Sequence, residues 1–222
     1  MTTLCIKTIS PEYYQAITRG AKVLEQDTTA PKVLQLLDGG FLKLFRRKRW
    51  FSSELFYPYV KRFANNASIL KEVGIATPEI LNLYRFSYNQ LDFTAVHYHP
   101  LPGDTLRNVL STADETVKKH FIRLFGELLA TLHEHGIYFR SIHLANVLVL
   151  PDQQLGLIDF ADMKKQSHAL SQAKRTRNLK HLQRYQQDTH WLFSEYYDVF
   201  LEAYKRVAGA KNALFLKCNN KD

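Results

Sequence analysis

A chain of 222 residues, with 45% hydrophobic and 23% charged side chains, is ordinary for a globular protein and can bury a substantial core, as one large domain or two small lobes. No apolar run approaches the roughly 20 residues needed to span a bilayer, the N-terminal MTTLCIKTISPEYY lacks the apolar core of a secretory signal, and Cys5 and Cys218, near opposite ends, suggest no disulfide framework and fit a reducing compartment. The net charge of +9 attracts nucleic acid, anionic lipid or phosphorylated substrates without choosing among them, but helix-turn-helix, zinc-ligand and aromatic RNA-binding patterns are absent, which makes nucleic acid the weakest of the three.

The front of the chain reads as strands. Ala21–Glu25 and Lys32–Leu37 are short apolar runs, and Asp38-Gly39-Gly40 is a strong turn signal before Phe41–Phe45. Helical spacing follows over Ser52–Val73, through Leu55, Phe56, Tyr59, Val60, Phe63, Ala67 and Leu70, until Gly74 and Pro78 end it. Glu79–Phe86 and Leu91–Tyr98 form a further strand pair turned at Tyr88-Asn89-Gln90. Pro100-Leu101-Pro102-Gly103 reads as a linker, which divides the chain into 1–99 and 100–222. Beyond it Asp104–Leu110 is a short helix, and Asp114 can cap a long amphipathic one running through His135, with Gly136 as its stop. Val147–Leu150 and Leu155–Ile158 are strand-like and flank Pro151-Asp152-Gln153; Ser171 to Ala208 is helical. The expected fold class is α+β, a β-rich front lobe with one helix and a mainly helical second lobe.

The chemistry concentrates between Gly136 and Met163. The protein-kinase pattern is H-R-D-L-x-x-x-N, a hairpin, then D-F-G. Here the same frame holds Phe139-Arg140-Ser141-Ile142, then Asn146, and after the hairpin Asp159-Phe160-Ala161. Asn146 and Asp159 flank the two strands so that a hairpin brings an amide oxygen and a carboxylate to one end, which suits a hard cation that keeps several waters. The position of the catalytic-base Asp holds Ser141, whose hydroxyl cannot act as a base near neutral pH. General-base help is worth about 10²–10⁴-fold, and His143 or Asp162 could supply it; His143 reads equally well as a structural residue bonding the loop backbone.

Lys43 sits mid-strand on the face shared with Phe41 and Phe45. A lysine facing inward there needs an anionic partner, which in a kinase-like lobe is the nucleotide α/β-phosphate. The glutamate that would pair with it is not obvious: Glu54, Glu25 and Glu72 are the alternatives. With Lys43 and Glu54, Tyr98, which ends the last strand before the linker, completes the nucleotide-binding candidates. Two basic clusters, Arg46-Arg47-Lys48-Arg49 and Lys174-Arg175-Thr176-Arg177 with Lys180 and Arg184, are solvated faces or contacts for an anionic acceptor or membrane surface.

Over roughly residues 20–205 the chain resembles the lipopolysaccharide kinase (Kdo/WaaP) family of the protein-kinase-like superfamily, in particular its short bacterial members labelled toluene-tolerance or putative phosphotransferase proteins. The resemblance rests on Gly40-Phe41-Leu42-Lys43-Leu44-Phe45-Arg46-Arg47-Lys48, on Gly74-Ile75-Ala76-Thr77-Pro78, on Tyr138 through Asn146 and on Leu157-Ile158-Asp159. It implies a two-lobe kinase fold, ATP and Mg²⁺ as cofactors, and phosphorylation of an inner-core lipopolysaccharide sugar or a related envelope glycolipid in the cytoplasm, at the inner-membrane face. It implies catalytic roles for Arg140, Ser141, His143 and Asp162. Ser141 leaves a second expectation open, a nucleotide-binding pseudokinase that regulates envelope biogenesis without transferring phosphate.

Overall fold

The computed structural model describes residues 4–27, 30–46, 59–214 and 216. Contacts divide the chain into two units, Met1–Ile69 with Pro78–Leu101, and Leu70–Thr77 with Pro102–Asp222. The class is α+β.

The first unit is built on a six-stranded sheet. In chain order it holds β1 (Ile6–Thr8), α1 (Pro11–Ile17), β2 (Lys22–Gln26), β3 (Pro31–Gln35), β4 (Phe41–Arg46), α2 (Tyr59–Glu72, running on into the second unit), β5 (Glu79–Tyr88) and β6 (Leu91–His99). The sheet order is β1-β5-β6-β4-β3-β2. All pairings are antiparallel except β1 on β5, which is parallel, so the sheet is mixed. Neither β1 nor α1 was among the expected elements. Yet Ser10-Pro11 is a helix start: the Ser10 hydroxyl accepts from Tyr13 N–H, and Pro11 occupies a position whose N–H would be unsatisfied anyway. The β5–β6 hairpin turns on Asn89 and Gln90, both with positive φ (49° and 61°), the conformation a two-residue hairpin turn requires.

Strand alternation gives the sheet two different faces. Leu34, Leu42, Leu44, Tyr84, Phe86, Phe93 and Ala95 form an apolar core with Tyr14 of α1. The opposite face carries Val33, Lys43 and Val96 in register. Helix α2 lies on that face: Phe63 packs on Tyr98 and Tyr59 stacks on Phe45, each at 5.8 Å between ring centroids. The expected helix over 52–73 is described from Tyr59 onward; its earlier part, with Glu54 and the basic run 47–49, lies outside the described residues, as does Cys218.

The second unit is mainly helical. Asp104–Thr105 forms a short strand, β7, so the helix expected from Asp104 starts later: α3 is Leu106–Thr112, capped by the Thr105 hydroxyl on Asn108 N–H. Helix α4 (Glu115–Glu134) is capped by Asp114, whose carboxylate accepts from Val117 N–H. It buries Phe121, Phe125, Leu128, Leu129 and Leu132. Then come β8 (Ile137–Tyr138), a 3₁₀ turn (Leu144–Asn146), β9 (Val147–Val149), β10 (Leu155–Leu157) and β11 (Lys164–Lys165). Strands β10-β9-β7 form one small sheet and β11-β8 another. Helices α5 (Gln172–Leu182) and α6 (Gln186–His190), a π-helical turn (Trp191–Glu195) and α7 (Tyr197–Asn212) complete it. Helix α7 packs along α4, with Phe125 stacked on Phe200. Gly136 ends α4 with φ +70°, and a Cβ there would lie 2.3 Å from the His168 carbonyl oxygen, so only glycine lets the chain turn into β8 beside residues 166–168.

Candidate active site

The loop from Phe139 to Asn146 is anchored at both ends by buried amide and carboxylate side chains. Phe139 is fully buried and its carbonyl accepts from Asn178 Nδ2 at 2.8 Å and from Ile142 N–H at 3.2 Å. Leu144 N–H donates to Asp188 Oδ2 at 2.8 Å. Asp188 is completely buried, and a charge there needs a partner. Arg107 supplies it with a bidentate pair, Nε to Oδ1 at 2.8 Å and Nη2 to Oδ2 at 3.0 Å. Between the anchors Ile142 is buried, while Ser141 is half-buried and Arg140 exposed. Loop anchoring thus presents the Arg140-Ser141 pair outward.

The hairpin β9–β10 joins this loop to the aspartate turn. Val147 pairs with Leu157, and Ile158 N–H donates to the Asn146 carbonyl at 3.0 Å. Asn146 and Asp159 therefore leave the same end of the hairpin. Asn146 is buried and its Nδ2 donates to the Ser141 carbonyl at 2.9 Å, so its amide oxygen is the atom left to meet a cation. Asp159 is exposed and sits at φ +54°, a left-handed conformation that few non-glycine residues adopt and that concentrates at ligand sites. No group of three or more His, Cys, Asp or Glu side chains able to hold a metal occurs among the described residues. One amide oxygen and one carboxylate fit Mg²⁺, which takes one or two protein ligands and fills the rest with water and phosphate oxygens.

Ser141 does not stand alone. Its hydroxyl donates to Asp162 Oδ2 at 2.5 Å, a short hydrogen bond. Arg140 Nε approaches the same oxygen at 3.2 Å. Asp162 Oδ1 is buried and has no hydrogen-bond partner among the described residues, a costly state for a carboxylate oxygen. Asp162 thus places at the serine the carboxylate that the kinase pattern carries in the loop itself. The turn Asp159–Asp162, held by Met163 N–H on the Phe160 carbonyl at 3.1 Å, brings it there.

His143 points elsewhere. Its ring packs on Tyr185, 4.4 Å between centroids, and the Arg107 guanidinium lies over the other partner of that contact, 4.9 Å from the Tyr185 centroid. Burial first, and then the Arg107 charge, hold the imidazole below its ordinary pKa against the opposing pull of Asp188, Asp159 and Asp162. Its Nδ1 is buried and has no hydrogen-bond partner among the described residues.

Of the residues in the first unit, Lys43 is half-buried on the α2-covered face, between Val33 and Val96. Tyr98 is buried against Phe41 and Phe63, so its ring serves packing. Glu25 of exposed β2 pairs at 3.0 Å with Lys32, an exposed residue of β3, and Glu72 is exposed at the end of α2; Glu54 lies outside the described residues. The α2 face that carries Phe63 and Ala67 also buries Asn66, a polar position that no charge pattern in the sequence announced.

Behind the loop lies a second polar cluster, which the sequence reading missed. Arg175 Nη1 donates to Tyr204 Oη at 2.6 Å, and Tyr204 Oη meets His133 Nδ1 at 2.7 Å. His133 Nε2 meets Asn178 Oδ1 at 3.2 Å, and Asn178 Nδ2 reaches the Phe139 carbonyl. Donor counting assigns the tautomer: Tyr204 accepts from Arg175 and gives its own proton to Nδ1, so Nε2 carries the hydrogen. Complete burial holds His133 near pKa 3, against the Asn178 bond that favours the charged form. Arg175 therefore does not belong to an exposed basic cluster, as its neighbours suggested. It is buried, bonded also to the Leu170 carbonyl and paired with Glu134 at 2.9 Å. The exposed basic residues of α5 are Lys174, Arg177 and Lys180, followed by Arg184.

No described helix is long and apolar enough to cross a membrane. Compared with known proteins, residues 15–204 match the model of the lipopolysaccharide kinase (Kdo/WaaP) family, which is most of the chain. No curated protein matches it.

Proposed function

The chain belongs to the lipopolysaccharide kinase (Kdo/WaaP) family, whose members are ATP-using kinases of lipopolysaccharide core sugars, and from that membership we propose that it transfers the γ-phosphate of Mg·ATP to a hydroxyl of an inner-core sugar or related envelope glycolipid in the cytoplasm. The observation that carries the reading is the Ser141–Asp162 pair: a carboxylate stands at the serine with one oxygen unpartnered among the described residues. In this reading the Asp162 carboxylate accepts the acceptor's proton as the phosphoryl group moves. Ser141 and Arg140 orient the carboxylate through Oδ2. Asn146 and Asp159 would hold Mg²⁺, which neutralises charge on the transferring phosphates. Lys43 is the first unit's candidate for the α/β-phosphates. Because phosphoryl transfer proceeds through a loose transition state, positioning and charge supply most of the rate, and a base displaced to a neighbouring turn serves as well as one in the loop.

A second reading rests on the same atoms. Asp162 Oδ2 is already committed to Ser141 and Arg140, as it would be in a pseudokinase that binds nucleotide without transferring phosphate. Incubation with γ-labelled ATP, Mg²⁺ and deacylated core oligosaccharide separates the two. Label in the oligosaccharide, lost in Asp162→Asn, supports the kinase; nucleotide binding without transfer by the wild type overturns it.

A further inference from the structure

Phosphoryl transfer to an alcohol needs a metal on the phosphates, a hydroxyl to receive the group and a carboxylate to take the hydroxyl's proton. In this chain a hydroxyl already stands beside the carboxylate. Ser141 fills the loop position where the kinase pattern has its aspartate, and its hydroxyl donates to Asp162 Oδ2 at 2.5 Å. An alcohol hydrogen-bonded to a base is the arrangement that activates a nucleophile. The serine is also tied to both candidate metal ligands. Its carbonyl accepts from Asn146 Nδ2 at 2.9 Å. Asp162 follows Asp159 within one turn, closed by Met163 N–H on the Phe160 carbonyl at 3.1 Å. Ser141 is half-buried and so not sealed from that side of the loop. Orienting Asp162 does not by itself call for a hydroxyl here, since Arg140 Nε approaches the same carboxylate oxygen at 3.2 Å.

Building on the phosphotransferase reading, we infer that Ser141 is itself a phosphorylation site, modified within the same chain when no acceptor occupies the site. Ser141 Oγ forms a bond to the γ-phosphorus of Mg·ATP as the bond from that phosphorus to the β–γ bridging oxygen breaks. ADP leaves, and the serine proton passes to Asp162. The product is a phosphoserine carrying a charge of about −1.5 to −2 at neutral pH. Arg140, exposed and already 3.2 Å from the shared Asp162 oxygen, is placed to pair with it. The acceptor's hydroxyl and the serine compete for one carboxylate, so the serine is the acceptor the loop carries with it. The aspartate of the usual kinase loop has no hydroxyl to phosphorylate in this way.

Tandem mass spectrometry on the full chain tests the site. Wild-type protein as purified, with no nucleotide added, should carry phosphate on the peptide that holds Ser141, and Asp159→Asn protein from the same cells should carry none there. After phosphatase treatment and removal of the phosphatase, incubation with Mg·ATP and no acceptor should restore the phosphate at a rate independent of protein concentration, as a reaction within one chain requires. Asp162→Asn should be modified about 10²-fold more slowly or less still. Ser141→Ala should remain bare while keeping its melting temperature and its affinity for Mg·ADP, and Ser167→Ala, at an exposed serine outside the site, should be modified at Ser141 as the wild type is. Phosphate only on other residues, a wild-type rate in Asp162→Asn, a rate that rises with protein concentration, or a bare Ser141 after incubation overturns the assignment. The kinase reading fails or stands separately. Transfer to deacylated core oligosaccharide by the wild type and by Ser141→Ala, with Ser141 bare, keeps that reading and overturns this one; phosphoserine without transfer to the sugar keeps this one and overturns the sugar acceptor.

Discussion

Two polar clusters in the second unit share the loop after α4, and they are built in opposite ways. The inner one, Arg175–Tyr204–His133–Asn178, is buried and every hydrogen bond in it has a donor and an acceptor, down to the Phe139 carbonyl. The outer one begins one residue later. Arg140, Ser141, Asp159 and Asp162 are exposed or half-exposed, Asp159 holds a strained backbone, and Asp162 Oδ1 lacks a partner among the described residues. A network satisfied within the chain rigidifies; a network left incomplete is ready for a ligand. The pair teaches that burial of a charged residue says little about catalysis, whereas an unfinished set of bonds beside a rigid support says a good deal.

The largest effect should come from the outer cluster. Asp162→Asn is expected to lower phosphoryl transfer by about 10²–10⁴-fold with little change in stability. Ser141→Ala, which leaves the carboxylate in place, should cost about tenfold or less. Equal losses in both would make the serine and not Asp162 the critical group. Asp159→Asn should remove the Mg²⁺ dependence of nucleotide-induced thermal stabilisation; a metal response equal to that of the wild type would remove Asp159 from the metal site.

The inner cluster should answer in stability. Arg175→Met takes the donor from Tyr204 and from the Leu170 carbonyl and leaves the partly exposed Glu134 without its cation. It is expected to lower the unfolding free energy by about 2–4 kcal/mol, read from urea denaturation. A loss no larger than that of Arg177→Gln would show that the buried pair contributes little. Acidification attacks the same network. His133 has a folded pKa near 3 against about 6.5 when unfolded, so between those values the unfolded chain binds the extra proton. Stability should therefore fall as pH drops below about 6.5, by up to about 1.4 kcal/mol per pH unit from this histidine alone. His143, His181 and His97, all held low chiefly by burial, add in the same direction. A flat urea midpoint between neutral and mildly acidic pH would contradict the buried neutral imidazole.

The smallest effect joins the two clusters. Asn178→Ala removes the donor to Phe139 O and the acceptor for His133 Nε2, at a cost of about 1–3 kcal/mol. Because that carbonyl precedes Arg140 and Ser141, kcat should fall more than acceptor KM rises. A variant that is less stable but has unchanged kcat would confine Asn178 to a structural role.

Local sequence determined a good part of this protein. The Asp114 cap, the stop at Gly136, the hairpin flanking Pro151-Asp152-Gln153 and the strand pair turned at Asn89-Gln90 all follow from backbone preferences that a few adjacent residues set by themselves. Alternation likewise put Lys43 on the face of Phe41 and Phe45. The resemblance to a kinase family was legible because Asn146 and Asp159 lie at fixed positions around one short hairpin. Tertiary structure decided the rest, since the deciding contacts join residues far apart in the chain. Asp162 meets Ser141 across 21 positions, Asn178 meets Phe139 across 39 and Asp188 meets Leu144 across 44. Arg175 looked like its basic neighbours because charge is a property of composition; it is buried because helix periodicity turns that one position toward Glu134 and Tyr204 while Arg177 and Lys180 face outward.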